Sequence, residues 1–187
     1  LNNINKQGEA RIMKEWIKDI LIAIVIAIVV VQFIKPTIVK ESSMEPNFYE
    51  NDYLFVSKQS YTFGEPKRGD VVVFHSSLVQ ENGDEKLLIK RIVGLPGETI
   101  DISDGKVYIN GEELKEDYTK EGYTSGEISG LVVPEGEVFC MGDNRRVSID
   151  SRSDDVGCID IDDIVGKVVF RLYPFSEIGM IKNPFSS

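Results

Sequence analysis

The sequence contains few of the residues on which hydrolytic and metal sites are most often built. There is one histidine, His75, and there are two cysteines, Cys140 and Cys158, among 187 residues. His75 follows the strand-like run "VVVF", so a polar residue at a strand end is its simpler interpretation. One histidine and two separated cysteines lack the paired spacing of a zinc site. We therefore expect no metal or other cofactor and no Ser-His-Asp triad.

Other signatures are missing as well. The chain has no Gly-x-Ser-x-Gly turn, no phosphate-binding loop and no dinucleotide fingerprint. The two cysteines stand among apolar neighbours, where small buried residues and a disulfide are both possible, and their spacing does not decide between them.

Positive charge is also scarce. The formal net charge is −10, from 21 Lys and Arg against 31 Asp and Glu. Binding to nucleic acid requires a basic face, so we exclude nucleic acid as a partner. Five of the basic and three of the acidic residues fall in residues 1–35, which leaves 16 and 28 for the remainder. A mildly basic N-terminal piece therefore precedes a strongly acidic body.

Residues 16–34, "WIKDILIAIVIAIVVVQFI", form the one long apolar run, with an uninterrupted core over 20–31. Their length is close to the roughly twenty residues that a helix needs to cross a bilayer. A cleaved secretory signal would have small residues after the run, whereas "QFIKPT" stands there. The run therefore predicts an uncleaved transmembrane signal-anchor helix.

The flanking charges predict the orientation of this anchor. Basic residues precede the run at Lys6, Arg11, Lys14 and Lys18, and follow it closely only at Lys35 and Lys40. By the positive-inside rule, residues 1–15 are cytoplasmic and residues 36–187 extracytoplasmic. The expected location is the cell membrane, with a single pass.

The body, 36–187, reads as mainly β. Short β-branched runs separated by turn residues replace helical periodicity. The predicted strands are 52–58, 70–76, 87–94, 99–103, 106–110, 137–142 and 164–173. Asn82-Gly83 favours a hairpin bend, and Pro96-Gly97 suits a type II turn. Residues 112–130 are acidic and without periodicity, and we expect a surface excursion there, with a lid or partner site as the alternative.

Two adjacent cations lie in one predicted strand, "LLIKRIVG". Alternation places Lys90 with Leu88 and Ile92, and Arg91 with Ile89 and Val93, so one cation must face apolar neighbours. A buried lysine is costly unless it is paired or neutral. To act as a base near neutral pH, its pKa must fall from roughly 10.4 to about 7, at a cost on the order of 4 kcal/mol. A strand-edge lysine that reaches solvent is the alternative.

Lysine can replace histidine as the base that activates a serine. Ser43, in "ESSMEP", follows the apolar run closely, and "MGDNRRVSIDSR" supplies a third polar stretch. With "RGDVVVF" and "IKRIVGLPGE", in that order behind one apolar run, the chain strongly resembles the bacterial type I signal peptidases. The resemblance extends from the apolar run to about Phe175, and the two longest motifs are highly specific.

The resemblance implies a role for each matching residue. Ser43 corresponds to the nucleophile and Lys90 to the general base. Ser148 corresponds to a serine whose hydroxyl helps to position the lysine amine. Asp150 and Arg152 correspond to a structural charge pair that holds their loop against the site. The backbone N–H of Ser43 would be one oxyanion donor.

The chain departs from the family pattern near the nucleophile. Glu41 stands where relatives commonly have a small residue or a serine, which puts a side-chain oxyanion donor there in doubt. Pro46-Asn47-Phe48 replaces the more usual Pro-Thr-Leu, a change expected to alter packing beneath the site.

The expected activity is that of a membrane-anchored serine endopeptidase that removes signal peptides from translocated pre-proteins after small residues. Its partners would be those signal peptides and membrane lipid, and the enzyme would be a monomer. One alternative is a self-cleaving Ser/Lys protease like the SOS-response repressors, which carry a DNA-binding segment in place of a span. Another is a catalytically inactive anchored β-domain that binds partners.

Overall fold

The computed structural model describes residues 13–25, 32–62, 64–80 and 83–186. Contacts divide the chain into two units, one that ends at Lys35 and one that begins at Pro36. Each unit is described separately below.

In the first unit, residues 13–25 and 32–33 are helical. The predicted anchor, 16–34, includes residues 26–31, which lie outside the described residues. Among the residues that are described, no helix is both long enough and apolar enough to cross a membrane.

The second unit is built from strands, as the β-branched runs predict, and the first of these strands begins two residues before the boundary. The strands are β1 (Ile34–Ile38), β2 (Tyr53–Ser57), β3 (Val71–Val79), β4 (Glu85–Gly94), β5 (Thr99–Ser103), β6 (Lys106–Ile109), β7 (Glu112–Glu113), β8 (Ile128–Val132), β9 (Glu137–Met141), β10 (Ile159–Asp160), β11 (Ile164–Tyr173) and β12 (Gly179–Met180). Short 3₁₀ helices cover Ser42–Met44, Ile161–Asp163 and Phe175–Glu177. The mainly β fold class is therefore confirmed.

The larger sheet has eight strands in the order β1-β2-β11-β3-β4-β9-β10, with β12 paired to β11. Strands β3 and β4 form the predicted antiparallel hairpin, in which Val72 is opposite Lys90. Gly83, near its bend, has a φ of 86°, which glycine adopts without steric cost. Asn82 lies outside the described residues.

The smaller sheet has the order β7-β6-β5-β8. Its last strand, β8, and its first, β7, bound the predicted surface excursion, 112–130. The excursion is only partly exposed, because Tyr118 and Thr124 are buried within it. Charged residues of this segment form ion pairs with residues elsewhere in the domain. Its polar composition alone would predict a solvated loop without such partners.

Among the described residues, three buried apolar clusters hold the domain together. The first joins β2, β3 and β11 to the segment after β1, through Val39, Met44, Phe48, Leu54, Val56, Val71, Val73 and Val168. The second packs the smaller sheet against β4 and β9, through Val93, Ile100, Ile102, Val107, Ile109, Val133, Phe139 and Met141. The third contains Val72, Phe74, Leu88, Ile92, Val138, Cys140 and Ile159. Strand β4 therefore contributes to more than one apolar cluster.

Candidate active site

Ser43 lies in the one-turn 3₁₀ helix Ser42–Met44. The next side chain, Met44, is fully buried in the first apolar cluster beside Phe48. The amide of Phe48 donates a hydrogen bond to the Met44 carbonyl at 3.0 Å. Core packing on one residue therefore fixes the backbone that carries the Ser43 hydroxyl, and Ser43 itself is 4% exposed.

Lys90 lies in β4, between β3 and β9, and is 1% exposed. The alternative of a strand-edge lysine that reaches solvent is therefore wrong for this residue. Its neighbour Arg91 is buried as well. Both cations are buried because apolar clusters cover both sides of β4, with Leu88 in one cluster and Val93 in another.

The Lys90 amine meets the Ser43 hydroxyl directly. Lys90 Nζ donates to Ser43 Oγ at 2.8 Å and to the Ile89 carbonyl at 3.1 Å. Burial lowers the pKa of Lys90 from 10.5 to about 8, although the negative charges of Asp150 and Glu41 oppose that change. With this pKa, roughly a tenth of the lysine is neutral at pH 7. A neutral amine at this distance can accept the serine proton.

Glu41, the departure from the family pattern, forms an ion pair beside this site. Its Oε1 lies 2.5 Å from Lys86 Nζ, on the same strand as Lys90. An ionised carboxylate only accepts hydrogen bonds, so Glu41 supplies no oxyanion donor. Its charge raises the pKa of Lys90 while that of Lys86 lowers it, and the two effects partly cancel.

Asp150 and Arg152 form a two-point ion pair in the loop 142–152. Arg152 Nε donates to Asp150 Oδ1 at 2.8 Å, and Nη2 donates to Oδ2 at 2.9 Å. Asp150 also accepts the Gly142 amide at 2.9 Å. Burial raises the pKa of Asp150, but the hydrogen bonds and charge of Arg152 outweigh it and hold the pKa below its usual value. The two ends of the loop are thereby joined.

Ser148 is not hydrogen bonded to Lys90 in this structure. Its buried hydroxyl oxygen has no hydrogen-bond partner among the described residues. The hydroxyl nevertheless lies close enough to Asp150 to help hold the pKa of that carboxyl below its usual value. Ser148 packs directly against Gly142.

Gly142 allows the loop to approach the Ser43 turn. A Cβ at this position would lie 2.5 Å from the Ser43 carbonyl oxygen and closer still to Ser148 Oγ. Only glycine fits there without displacement of the backbone that carries Ser43.

Arg91 and Asp143 form a buried ion pair that the sequence did not reveal. Arg91 Nε and Nη2 donate to the two Asp143 oxygens at 2.8 and 2.6 Å, and Nη1 donates to the Gly69 carbonyl at 2.9 Å. The guanidinium also stacks over the Tyr118 ring at 4.4 Å. The two members of this pair are 52 residues apart in the sequence.

Asn144 binds the backbone of the Ser43 turn. Its backbone N–H donates to the Ser43 carbonyl at 3.0 Å, and its side-chain Nδ2 donates to the Ser42 carbonyl at 3.1 Å. Neither contact was predicted. The sequence did carry one signal for them. The segment "GDNRR", directly after an apolar strand, contains more polar residues than a solvated turn requires.

The remaining candidates lie apart from this arrangement. His75 is about half exposed and contacts Glu85 Oε2 at 3.1 Å. Cys140 is buried, Cys158 is half-buried, and both are free thiols. Among the described residues, no His, Cys, Asp and Glu side chains cluster as a metal site would require.

A serine hydroxyl against a buried lysine with a lowered pKa, in a β-domain, is the arrangement of a candidate serine hydrolase. The family model described as "Signal peptidase, peptidase S26" matches residues 13–173. The chain belongs to this family. The predicted identification as a type I signal peptidase is thereby confirmed.

Named signal peptidases can be aligned with this chain along most of their own length. The chain is 39% identical to signal peptidase I of Bacillus licheniformis over 176 residues, which cover 88% of this chain and 90% of the relative. It is 37% identical to signal peptidase IB of Staphylococcus aureus (strain COL), over 91% of this chain and 94% of the relative. A crystal structure of a signal peptidase I from Enterococcus faecalis V583 is 33% identical, with a TM-score of 0.46, and covers 55% of this chain and 96% of that one.

Proposed function

We propose that this signal peptidase is a serine endopeptidase in which Ser43 is the nucleophile and Lys90 the general base. The observation that carries the proposal is the 2.8 Å contact between Lys90 Nζ and Ser43 Oγ, made where both residues are buried. Family membership supports peptidase activity, and the contact supports the assignment of the two roles.

The proposed reaction has two stages. Neutral Lys90 takes the Ser43 proton while Oγ attacks the scissile carbonyl, and the resulting ammonium then protonates the leaving amine. Water, deprotonated by the same amine, attacks the acyl carbon, the ester bond to Ser43 Oγ breaks, and Oγ recovers its proton from the lysine ammonium as the second product leaves. The Ser43 N–H is the proposed oxyanion donor, since Glu41 cannot donate.

Ser148 is proposed to orient the Lys90 amine during this cycle. A buried hydroxyl without a partner costs about 1–3 kcal/mol, so a hydrogen bond formed to the amine at the reacting stage would be favourable. No described residue forms a hydrogen bond with the Ser148 hydroxyl in the resting arrangement, so the hydroxyl is available for that bond. Asp150 and Arg152 are proposed to act structurally, by holding the loop in place.

The proposed substrates are signal peptides of translocated pre-proteins, with small residues at the first and third positions before the cut. We propose that residues 16–34 anchor the enzyme in the cell membrane, with 1–15 cytoplasmic and 36–187 extracytoplasmic. Anchoring in contact with membrane lipid would confine enzyme and substrate to one surface and raise their effective concentration. The proposed enzyme acts as a monomer, without a cofactor.

Cleavage of a pre-protein in detergent tests the two assigned roles. Ser43→Ala and Lys90→Ala should each abolish cleavage and leave the β-domain folded, as judged by circular dichroism. His75→Ala is the matched control, because His75 is exposed and contacts Glu85 rather than Ser43 or Lys90. Near wild-type turnover of Lys90→Ala would refute the Lys90 assignment. A loss of several hundred-fold in folded His75→Ala would reopen the serine–histidine alternative.

The same experiment addresses the competing functions. A catalytically inactive binding domain would leave the wild-type protein without turnover. A self-cleaving protease would process its own chain, whereas the proposed enzyme cuts an added pre-protein many times. Membership in the signal peptidase family favours turnover of a separate substrate.

A further inference from the structure

Residues 116–125, here called the strap, lie within the partly exposed excursion between β7 and β8. The strongest contact of the strap is an ion pair between Glu116 and Arg145. Arg145 Nη1 donates to Glu116 Oε2 at 2.8 Å, and Nη2 donates to Oε1 at 2.5 Å. The Arg145 side chain is only 1% exposed, and the Glu116 side chain is 9% exposed. Two-point pairs with this burial are strongly directional and fix the relative position of their segments.

Arg145 passes this contact to the loop 142–152. Its Nε donates to the Gly142 carbonyl at 2.9 Å, and its Nη1 donates also to Thr124 Oγ1 at 2.5 Å. The amide of the same glycine donates to Asp150. Both the carbonyl and the amide of Gly142 are therefore hydrogen bonded. Gly142 is also the residue that packs against the Ser43 carbonyl.

The strap also reaches the segment that carries Ser43. Lys120 Nζ lies 2.6 Å from Glu45 Oε2, and the Lys120 amide donates to the Asp143 carbonyl at 3.1 Å. Asn47 Nδ2 donates to the Tyr118 carbonyl at 2.6 Å and to Asp143 Oδ2 at 2.9 Å. The strap therefore contacts two segments that are distant from it in sequence, the turn after Ser43 and the loop 142–152.

At its far end the strap contacts the predicted charge pair. Arg152 Nη1 donates to the Ser125 carbonyl at 3.0 Å, and Ser125 Oγ donates to the Arg145 carbonyl at 3.3 Å. A solvated surface loop would not place its backbone and side chains on so many buried groups of one loop.

We infer that the strap positions the active site, and that Glu116, acting through Arg145, is a positioning residue for the Ser43–Lys90 pair. The inference rests on the proposed function. Glu116 contacts neither reacting group. Its carboxylate fixes the guanidinium that holds the Gly142 carbonyl, and Gly142 sets the distance between the loop and the Ser43 turn.

Steady-state cleavage of a pre-protein by Glu116→Gln tests the inference. Glutamine keeps the shape but loses the charge, so we expect kcat to fall about tenfold or more, which is 1.4 kcal/mol in activation free energy. KM should stay within about twofold, because the change misaligns the reacting groups without removing substrate contacts. Glu116→Asp, which restores the charge, should recover part of the loss. Glu113→Gln is the matched control, since Glu113 forms an exposed pair with Lys106.

A second variant covers the case in which Glu116→Gln does not fold. A buried arginine without its partner destabilises a protein strongly, whereas replacement of both members of a buried pair by apolar residues is often neutral. Glu116→Met combined with Arg145→Met should therefore fold, yet lose the bond to the Gly142 carbonyl and keep a low kcat. Wild-type kcat in this folded double variant would overturn the inference. So would a loss in Glu116→Gln that only matches its unfolded fraction.

Ser43→Ala and Lys90→Ala, measured in parallel, separate this inference from the proposed function. Activity in either of them refutes the proposed roles whatever the strap variants do. Inactive Ser43→Ala and Lys90→Ala together with an unaffected Glu116→Gln refute the strap alone.

Discussion

Lys90 and Ser43 are 47 residues apart in the chain, and the amine of one lies 2.8 Å from the hydroxyl of the other. The strand that carries Lys90 is interior to the sheet, and the turn that carries Ser43 is anchored by Met44. Neither side chain needs to move far to react. The energetic consequence is a lysine held where its charged form is disfavoured.

The rate of cleavage should depend on pH through Lys90. Only the neutral amine accepts the serine proton, and burial lowers the pKa of Lys90 to about 8. We expect kcat/KM to rise about tenfold between pH 7 and pH 9 and to level off above that. The measurement is a pH–rate profile at constant ionic strength. A flat profile between roughly pH 6 and 9 would contradict a titrating lysine base.

The same burial should make the stability of the domain depend on pH. The folded pKa, about 8, is below the unfolded value, 10.5. Between these values the unfolded chain binds more protons, so the free energy of unfolding increases with pH, and the penalty is constant below pH 8. Urea titrations should show wild type gaining about 2 kcal/mol relative to Lys90→Met from pH 8 to pH 10. An equal response in both proteins would place the folded pKa near its ordinary value.

Ser148→Ala should impair turnover without loss of substrate binding. An orienting hydrogen bond at the reacting stage contributes on the order of 2–4 kcal/mol, so kcat should fall about 30- to 1000-fold. Thermal unfolding measured beside turnover provides the control. Because the hydroxyl makes no well-formed hydrogen bond to any described residue, its removal should lower the melting temperature little. If activity falls only in proportion to stability, the role of Ser148 is structural.

Asp150→Ala should act through stability. It leaves Arg152 largely buried and without its two-point partner, which typically costs about 3–5 kcal/mol. We expect a lower melting temperature together with lost activity, and Arg152→Ala should behave in the same way. Lys106→Ala, which breaks an exposed pair, is the control and should change the melting temperature little. Full stability in an inactive Asp150→Ala would instead assign Asp150 a direct part in catalysis.

Gly142→Ala should reduce activity far more than Gly136→Ala. The new methyl group overlaps the Ser43 carbonyl and Ser148, so either the loop or the Ser43 turn must shift. A shift of this kind can lower turnover about 100-fold. Gly136→Ala is the comparison, since its φ of 82° is strained for alanine but the space around it is open. Equal activity of the two variants would show that the loop absorbs the methyl group elsewhere.

Local sequence was sufficient for the strands that hold the site. The runs that became β2, β3, β4, β9 and β11 are rich in β-branched or other apolar residues and end at turn residues, and the structure confirms them. Strand β8, "ISGLV", was not predicted because a glycine interrupts it, and β7, β10 and β12 were not predicted because each has only two residues. Strand β1 begins at Ile34, inside the run assigned to the anchor. Elements fixed by pairing with neighbours have little signal of their own.

The site itself was predictable in part. The adjacent cations in "LLIKRIVG" required that one be buried, and the structure buries both. The partner of Arg91 could not be inferred, because Asp143 is brought to it by the pairing of β4 with β9. Glu116 was hidden for the same reason, in a segment whose acidic composition is that of a solvated loop. Long-range ion pairs leave no periodic pattern in a sequence.

The buried pair of Arg91 and Asp143 limits how related chains can vary. A lysine at 91 would keep the charge but would replace a planar fork by a single point of contact, and so could not serve both Asp143 oxygens and the Gly69 carbonyl. Among homologues, we expect these two positions to be retained together or exchanged together for apolar residues. A substitution score that treats arginine and lysine as equivalent would therefore overestimate tolerance at position 91.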